Sequence, residues 1–451
     1  MKNLISKIAS VYFLSSLSLL AAGQSVPTTL SLTLEKARIM ALERNQQLAA
    51  GAIDAKINKE KTREARLSRI PEIYGDLNVQ RNLIIPVTPV PSNAFNPNAP
   101  EGQLTPLRFT TKWTANTGLN ASVDLFNPEK RQAVREALIQ EELIRLENES
   151  TRHDLTFEVG KAYAASLIGF EQLRLATADT LTKAKVLEVS QQQFDQGRLL
   201  LASLNQAKAD RNASLNKYDE AVGIYEENRD QLLYLLGYAP DGTMSIAFED
   251  NLENLFQTFV TKGEQAGGNF SFNKLRQNEA LLNTQIKAAN AAFLPAITFK
   301  AYYGANYFDN NFEIFKSANW NGNSFLNVGV RVPITEGFIR KNRIKQLELE
   351  KQGNELRYQY ENNKNQADYL AAKREAAAHE KGYRRTQENF QLAENNLRLA
   401  EQQFSSGRLG LDELSKVSYN YEKEKNNYLN SAYNYILSRL NMEKLNAYLQ
   451  N

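Results

Sequence analysis

Gln192–Gln193–Phe194–Asp195–Gln196–Gly197–Arg198–Leu199 returns 210 positions later as Gln402–Gln403–Phe404–Ser405–Ser406–Gly407–Arg408–Leu409. In both copies Gly-Arg-Leu interrupts a long helical pattern. Matching flanks on each side make the chain a tandem duplication, to be read repeat by repeat. A glycine that ends a helix takes positive φ without a Cβ penalty, and helical periodicity restarts near Leu201 and Leu411. Each site therefore reads as the tip of a tight helical hairpin.

Working outward, the runs Lys130–Gln196 and Phe338–Ser406 lead into the tips without a proline. At about 1.5 Å per residue each would be a rod on the order of 100 Å long, more than any bilayer accommodates. Such rods must project into water. Tyr383, Phe390, Leu397 and Phe404 recur every seven residues, as do Leu414, Tyr421, Tyr428, Tyr435, Met442 and Leu449 on the returning helix. The first half echoes them with Leu187, Phe194, Leu204, Tyr218, Tyr225 and Leu232. That spacing winds helices around one another with a left-handed supercoil, so the stripes are seams rather than ligand boxes.

Ahead of each rod lie two alternating segments. After a helix of about Leu34–Arg69 closed by Pro71, Ile73, Leu77 and Val79 oppose Tyr74, Asp76, Asn78 and Gln80. Ala115, Thr117, Leu119, Ala121, Val123 and Leu125 then oppose Asn116, Gly118, Asn120, Ser122 and Asp124. In the second half a helix of about Asn273–Phe293 stops at Pro295. Ile297, Phe299, Ala301, Tyr303 and Ala305 follow, and later Leu326, Val328, Val330, Val332 and Ile334, each alternating with polar residues. Strands are thus expected at about 72–84, 114–126, 296–308 and 325–334, each with one apolar and one polar face. The segment from Asn82 to Trp113 reads as a long exposed loop.

A soluble sheet would need an apolar layer to cover the stripes, but the flanking helices are rich in Glu, Lys and Gln. The segment lengths suit tilted strands crossing a membrane. Trp113, Tyr307, Phe308, Trp320 and Phe325 stand at the loop ends, where an interfacial girdle belongs. Four strands are too few to close a barrel, and open edges are not tolerated in lipid, so the edges must pair with other copies.

The first residues fit a secretory signal: Lys2 and Lys7, an apolar run from Ile8 to Leu20, and Ala21–Ala22–Gly23 as the cleavage site. The expected division is a signal at 1–23, a first repeat at 24–250 and a second at 251–451. The 451 residues contain no cysteine, which excludes disulfides, thiolate metal sites and an N-terminal lipid-modified Cys. A net charge of +3 without a dense basic cluster speaks against nucleic acid. His153 and His379 are the only histidines and stand isolated at non-equivalent places. No catalytic constellation, cofactor site or metal site is expected.

Taken together, the chain resembles the TolC-like outer membrane efflux protein family over nearly all of its length after the signal. Phe194-x-x-Gly197-x-Leu199 and Phe404-x-x-Gly407-x-Leu409 carry the resemblance, with Val332–Pro333–Ile334–Thr335–Glu336–Gly337 as a strand-to-helix junction. Val123–Asp124–Leu125–Phe126–Asn127–Pro128 stands in that place in the first repeat, with Pro128 for Gly337. The resemblance implies a mostly α fold with transmembrane β: a homotrimer whose 12-stranded β-barrel continues as an α-helical barrel through the periplasm. It also implies contact with a periplasmic adaptor protein, itself bound to an inner-membrane pump, at Gly197, Arg198, Leu199, Gly407, Arg408 and Leu409. The same glycines and leucines also serve turn geometry, and both arginines suit a helix C-terminus. A candidate entrance gate falls on Asp412 and Glu413. Against it, the first repeat has Ala202 and Ser203 there, Lys416 departs from the acidic pattern, and acids favour a helix N-terminus in any case.

The function expected is a passive outer-membrane conduit of a tripartite efflux or type I secretion system, and no enzymatic activity. Two rivals are a trimeric coiled-coil stalk with a membrane foot, structural or adhesive, and a soluble periplasmic hairpin adaptor. A stalk needs neither the duplication nor helices that return to the membrane. An adaptor has no use for lipid-facing strands.

Overall fold

A computed structural model of the chain describes residues 29–239, 244–261, 270–334 and 337–446. The expected signal at 1–23, Thr335 and Glu336 of the second junction, and Leu449 lie outside the described residues. In chain order the elements are β1 (Thr29–Leu32), α1 (Leu34–Arg44), α2 (Gln46–Leu67), β2 (Glu72–Arg81), β3 (Thr88–Pro91), β4 (Leu104–Leu107), β5 (Trp113–Phe126), α3 (Pro128–Asp195), α4 (Leu201–Leu235), β6 (Ser245–Phe248), α5 (Leu252–Thr261), α6 (Phe270–Ala291), β7 (Ala296–Asp309), β8 (Trp320–Arg331), α7 (Gly337–Ser405) and α8 (Leu411–Asn446). The described residues form two compact units: one lies within Met1–Gln46, His153–Gln265 and Leu370–Leu445, the other within Gln47–Arg152, Ala266–Tyr369 and Asn446–Asn451. Each unit draws on both halves of the sequence.

The second unit holds a four-stranded antiparallel sheet in the order β2-β5-β7-β8. Its register aligns like with like across both halves. One face carries the row Ile73, Ala121, Ala301, Leu326 and the row Val123, Phe299, Val328. The other carries Asn78, Asn116, Asn306, Asn321 and, one pair along, Asp76, Gly118, Gly304, Asn323. A slip of one residue would mix the faces, so the alternation excludes every odd register shift. Ile73, Leu77, Leu119, Tyr303, Leu326, Val328 and Val330 are all exposed, and among the described residues no element covers them. On the polar face, Asp76 accepts hydrogen bonds from Asn78 (3.1 Å) and Asn120 (2.6 Å), while Thr298 donates to Asp124 (2.9 Å).

Four helices lead into or out of these strands in the same order. Thr62 of α2 donates to the carbonyl of Ala137 on α3 (3.3 Å), and Asn148 of α3 donates to the carbonyl of Gly51 (2.8 Å). Lys274 of α6 pairs with Glu147 (3.5 Å), and Asn354 of α7 donates to the carbonyl of Leu275 (3.1 Å). The sheet edges β2 and β8 thus adjoin α2 and α7, the outer helices of the row. Both expose an apolar stripe: Ile53, Ile57 and Leu67 on α2; Ile339, Leu349, Leu356 and Tyr360 on α7.

Three expectations need correction. The helix drawn as Leu34–Arg69 breaks at Asn45, whose backbone is extended and whose side chain donates to the carbonyl of Leu235 (3.2 Å). There a free carbonyl at the end of α4 outcompetes helix continuation. The last long strand begins at Trp320 rather than near 325 and ends at Arg331. Its Asn-rich start, read as loop, is held by pairing to β7 down to Tyr307↔Trp320, while Val332 and Ile334 flank Pro333, which cannot donate to a ladder. Finally, the segment from Asn82 to Trp113 contains the small hairpin β3–β4.

Among the described residues the first unit is helical apart from the parallel pair β1–β6, which joins the two ends of the first half. The expected seams are present. Tyr383, Leu397, Phe404, Leu414, Tyr421, Tyr435 and Met442 are buried. Tyr383 stacks on Tyr428 (5.7 Å between ring centres), and Tyr428 stacks on Phe390 (5.1 Å). In the first half Leu204 and Leu232 are fully buried.

Candidate functional site at the hairpin tips

The two tips are built alike, and the build follows from backbone hydrogen bonding. At the end of α3 the Gly197 N–H donates to the carbonyl of Phe194 (2.8 Å) and the Arg198 N–H to that of Gln193 (2.8 Å). At the end of α7 Gly407 donates to Phe404 (3.0 Å) and Arg408 to Gln403 (2.9 Å). This is the Schellman pattern, which satisfies carbonyls that the helix leaves orphaned. It requires the left-handed region, and Gly197 and Gly407 have φ of 69° and 72°. A Cβ at either would meet no atom within 4 Å. The glycines are therefore required by torsion alone, not by crowding.

The tips lie side by side, with a cleft of about 650 Å³ between them lined by Gln193, Arg198, Leu199, Phe404, Arg408 and Leu409 among others. Gln193 spans the tips by donating to the carbonyl of Phe404 (3.5 Å). Leu409 is half-buried against a core of Leu397, Phe404, Leu411 and Leu414. Leu199 is half-buried in the equivalent place, while Arg198 and Arg408 are exposed. The structure thus brings five of the six tip residues to one mainly polar cleft, Gly197 standing outside its lining, and leaves two exposed cations beside two half-buried leucines.

Asp412 and Glu413 occupy the first turn of α8 and are exposed. Glu413 pairs with Lys416 one turn on (3.2 Å), an ordinary intrahelical contact. His153 approaches the carbonyl of Lys444 (3.2 Å), and His379 pairs with Glu375 (3.5 Å). Among the described residues no cluster of His, Cys, Asp and Glu could hold a metal ion.

One feature escaped the sequence reading. Asp179 and Lys183 of α3, Asp210 and Lys217 of α4, and Ser415, Ser418 and Glu422 of α8 line an open cavity of about 460 Å³. Glu422 accepts from Lys217 (2.9 Å) and from Lys425 (2.6 Å), whose side chain is only 6% exposed. Lys183 donates to Ser418, and Ser415 donates to Asp210 (3.3 Å). Burial pushes the Glu422 carboxyl up, but hydrogen bonds and charge from Lys425 and Lys217 outweigh it and hold the group below its ordinary value. Burial dominates at Asp179 and pushes its carboxyl up, only partly offset by Lys183. A signal did exist: Leu411, Ser418, Lys425 and Ala432 form the second seven-residue row of α8, all buried, with a lysine where a seam expects an apolar residue.

Comparison with solved structures places this architecture. The outer membrane channel CmeC of Campylobacter jejuni superposes with a TM-score of 0.71 at 15% identity, over 92% of this chain and 86% of that one. The outer membrane channel MtrE of Neisseria gonorrhoeae, in its open state, gives 0.67 at 18%, over 92% and 89%. The outer membrane protein VceC of Vibrio cholerae gives 0.65 at 17%, over 92% and 94%. No protein-family model and no curated protein matches the sequence. The chain has the fold of TolC-like outer membrane channels.

Proposed function

We propose that three copies of this chain form an outer-membrane conduit. The observation that supports it best is the registered sheet, apolar on one face and polar on the other, with both edges open. Because each copy contributes four antiparallel strands, β8 of one copy runs antiparallel to β2 of the next, and the ring repeats without a parallel junction. Closure at three copies gives twelve strands, within the range of transmembrane barrels. The exposed stripes of α2 and α7 adjoin those same edges, so one junction continues from strands to helices and builds a helical barrel below the membrane. The apolar face meets lipid. The polar face and the polar sides of the helices line water.

Transport through such a tube is passive. The tip surface of Gly197, Arg198, Leu199, Gly407, Arg408 and Leu409 meets a periplasmic adaptor, and an inner-membrane pump selects cargo and supplies energy. Two exposed guanidiniums beside half-buried leucines suit an acidic, partly apolar partner. Asp412 and Glu413 stand next to that surface as candidate entrance groups. Conductance of the purified protein in a planar bilayer tests the reading. A trimer that fails to conduct after charge reversal of Asp412 and Glu413 would refute an aqueous conduit.

A further inference from the structure

The loops at the end of the sheet away from the helices carry large apolar side chains in open water. Leu83 and Ile84, just beyond β2, are 86% and 88% exposed. Phe315, in the turn between β7 and β8, is 97% exposed. These are not loose ends. The Asn82 N–H and side chain donate to the carbonyls of Lys112 (2.8 Å) and Thr111 (2.8 Å), pinning the segment to the end of β5. The Tyr307 hydroxyl donates to the carbonyl of Asn311 (2.8 Å) and accepts from the Glu313 N–H (2.8 Å), while the Trp320 indole donates to the carbonyl of Ile314 (2.8 Å). Phe315 is therefore held out on a fixed turn.

Exposed, ordered apolar groups of this size mark an interaction surface. Hydrocarbon is an unsuitable cover, because the same segments carry Asn82, Lys112, Asn310, Asn311, Glu313 and Lys316 with non-strand backbone. Position names the occupant. Leu83 and Ile84 follow one open edge strand, β2, and Phe315 precedes the other, β8. Any closure that joins β8 of one copy to β2 of the next brings these two patches to the same junction.

We infer that Phe315 of one copy packs against Leu83 and Ile84 of the next, clasping the outer rim at every junction; this rests on the trimeric reading above. Each patch is too small to bury itself within one chain, and the two together make a mixed aromatic–aliphatic contact.

The chain has no cysteine, so paired cysteines report proximity directly. Leu83→Cys with Phe315→Cys, and Ile84→Cys with Phe315→Cys, are oxidised in outer-membrane preparations and run without reductant. The expected result is loss of the single-chain band to covalent multimers for the pairs and not for Phe315→Cys alone, since a disulfide forms only where Cβ atoms come within about 4.5 Å. Phe315→Ser serves as a second arm. So exposed a position leaves the chain fold intact, and the expected effect is a severalfold increase in dissociation of the assembly in dilute detergent. If the particle has the mass of three chains, both thiols react with an impermeant maleimide and neither arm changes, the clasp is overturned while the trimer stands. Quenching of a fluorophore at position 84 by brominated acyl chains would also overturn it, by putting lipid there. A particle with the mass of one chain would overturn the trimer, and the clasp with it.

Discussion

Replacing Glu422 by Gln should loosen the helices around it by far more than any surface substitution. The carboxylate is the shared acceptor of Lys217 at 2.9 Å and Lys425 at 2.6 Å, and its side chain is 14% exposed. The two lysines are not equivalent. Lys217 is 52% exposed and can turn to water, so its pair contributes at most about 1 kcal/mol. Lys425 is 6% exposed and, without Glu422, stays buried without its hydrogen-bonded carboxylate, Asp179 being the more remote acid that remains; such a loss costs about 3–5 kcal/mol. At about 1.4 kcal/mol per factor of ten, the lower figure means roughly 100-fold faster amide hydrogen exchange in the segments of α4 and α8 that line the cavity, read by mass spectrometry of the detergent-solubilised protein. Lys217→Ala should change it by less than about fivefold. Glu422→Gln with Lys425→Met should recover most of the loss, because a buried pair replaced whole is tolerated far better than one left half-removed. Equal effects of Glu422→Gln and Lys217→Ala, or a double variant no better than the single, would refute the reasoning. The pH dependence follows from the lowered folded value of Glu422: the native state binds fewer protons than the unfolded chain, so the stabilisation is complete above the ordinary glutamate range and fades as pH falls through the folded value.

Asp179→Asn should act in the opposite sense. Its folded value is raised by burial, so the native state binds more protons, and stability falls as pH rises from the ordinary aspartate value through the raised one. The variant should therefore melt higher than wild type at neutral pH and equally at low pH. Gly197→Ala and Gly407→Ala should each cost about 1–2 kcal/mol from φ alone, seen as a lower melting midpoint with unchanged helix content; no loss would show that the tips relax to another turn. Val328→Arg should impair assembly by about 2–4 kcal/mol if its face meets mid-bilayer lipid, while Asn327→Arg on the other face should assemble normally and alter conductance. Equal behaviour of the two would reverse or abolish the assignment of faces.

Much is legible in the sequence because it is written in short-range periods. The repeated Gly-Arg-Leu placed both tips to the residue, since the left-handed torsion at Gly197 and Gly407 is a local demand. Alternation placed β5 and β7 within a residue at both ends and β2 at its start, while β2 stops at Arg81, three residues short of the expected 84; the seven-residue stripes named the buried seams. The start of β8 was missed because Asn321, Gly322 and Asn323 look like loop, and only their partners Asn306, Ala305 and Gly304 on β7 make them strand.

By itself, then, the sequence determined the duplication, the hairpins and the two-faced strands, because each depends on neighbours a few positions away along the chain. Only the tertiary structure decided that β5 joins β7 across the two halves, that β1 pairs with β6, that Asn45 breaks a helix for the carbonyl of Leu235, and that Lys425 lies buried against Glu422. The reason is one of range. A carboxylate or an asparagine reads the same in a sequence whether water or another helix stands opposite it, and its energy is set by which of the two is there.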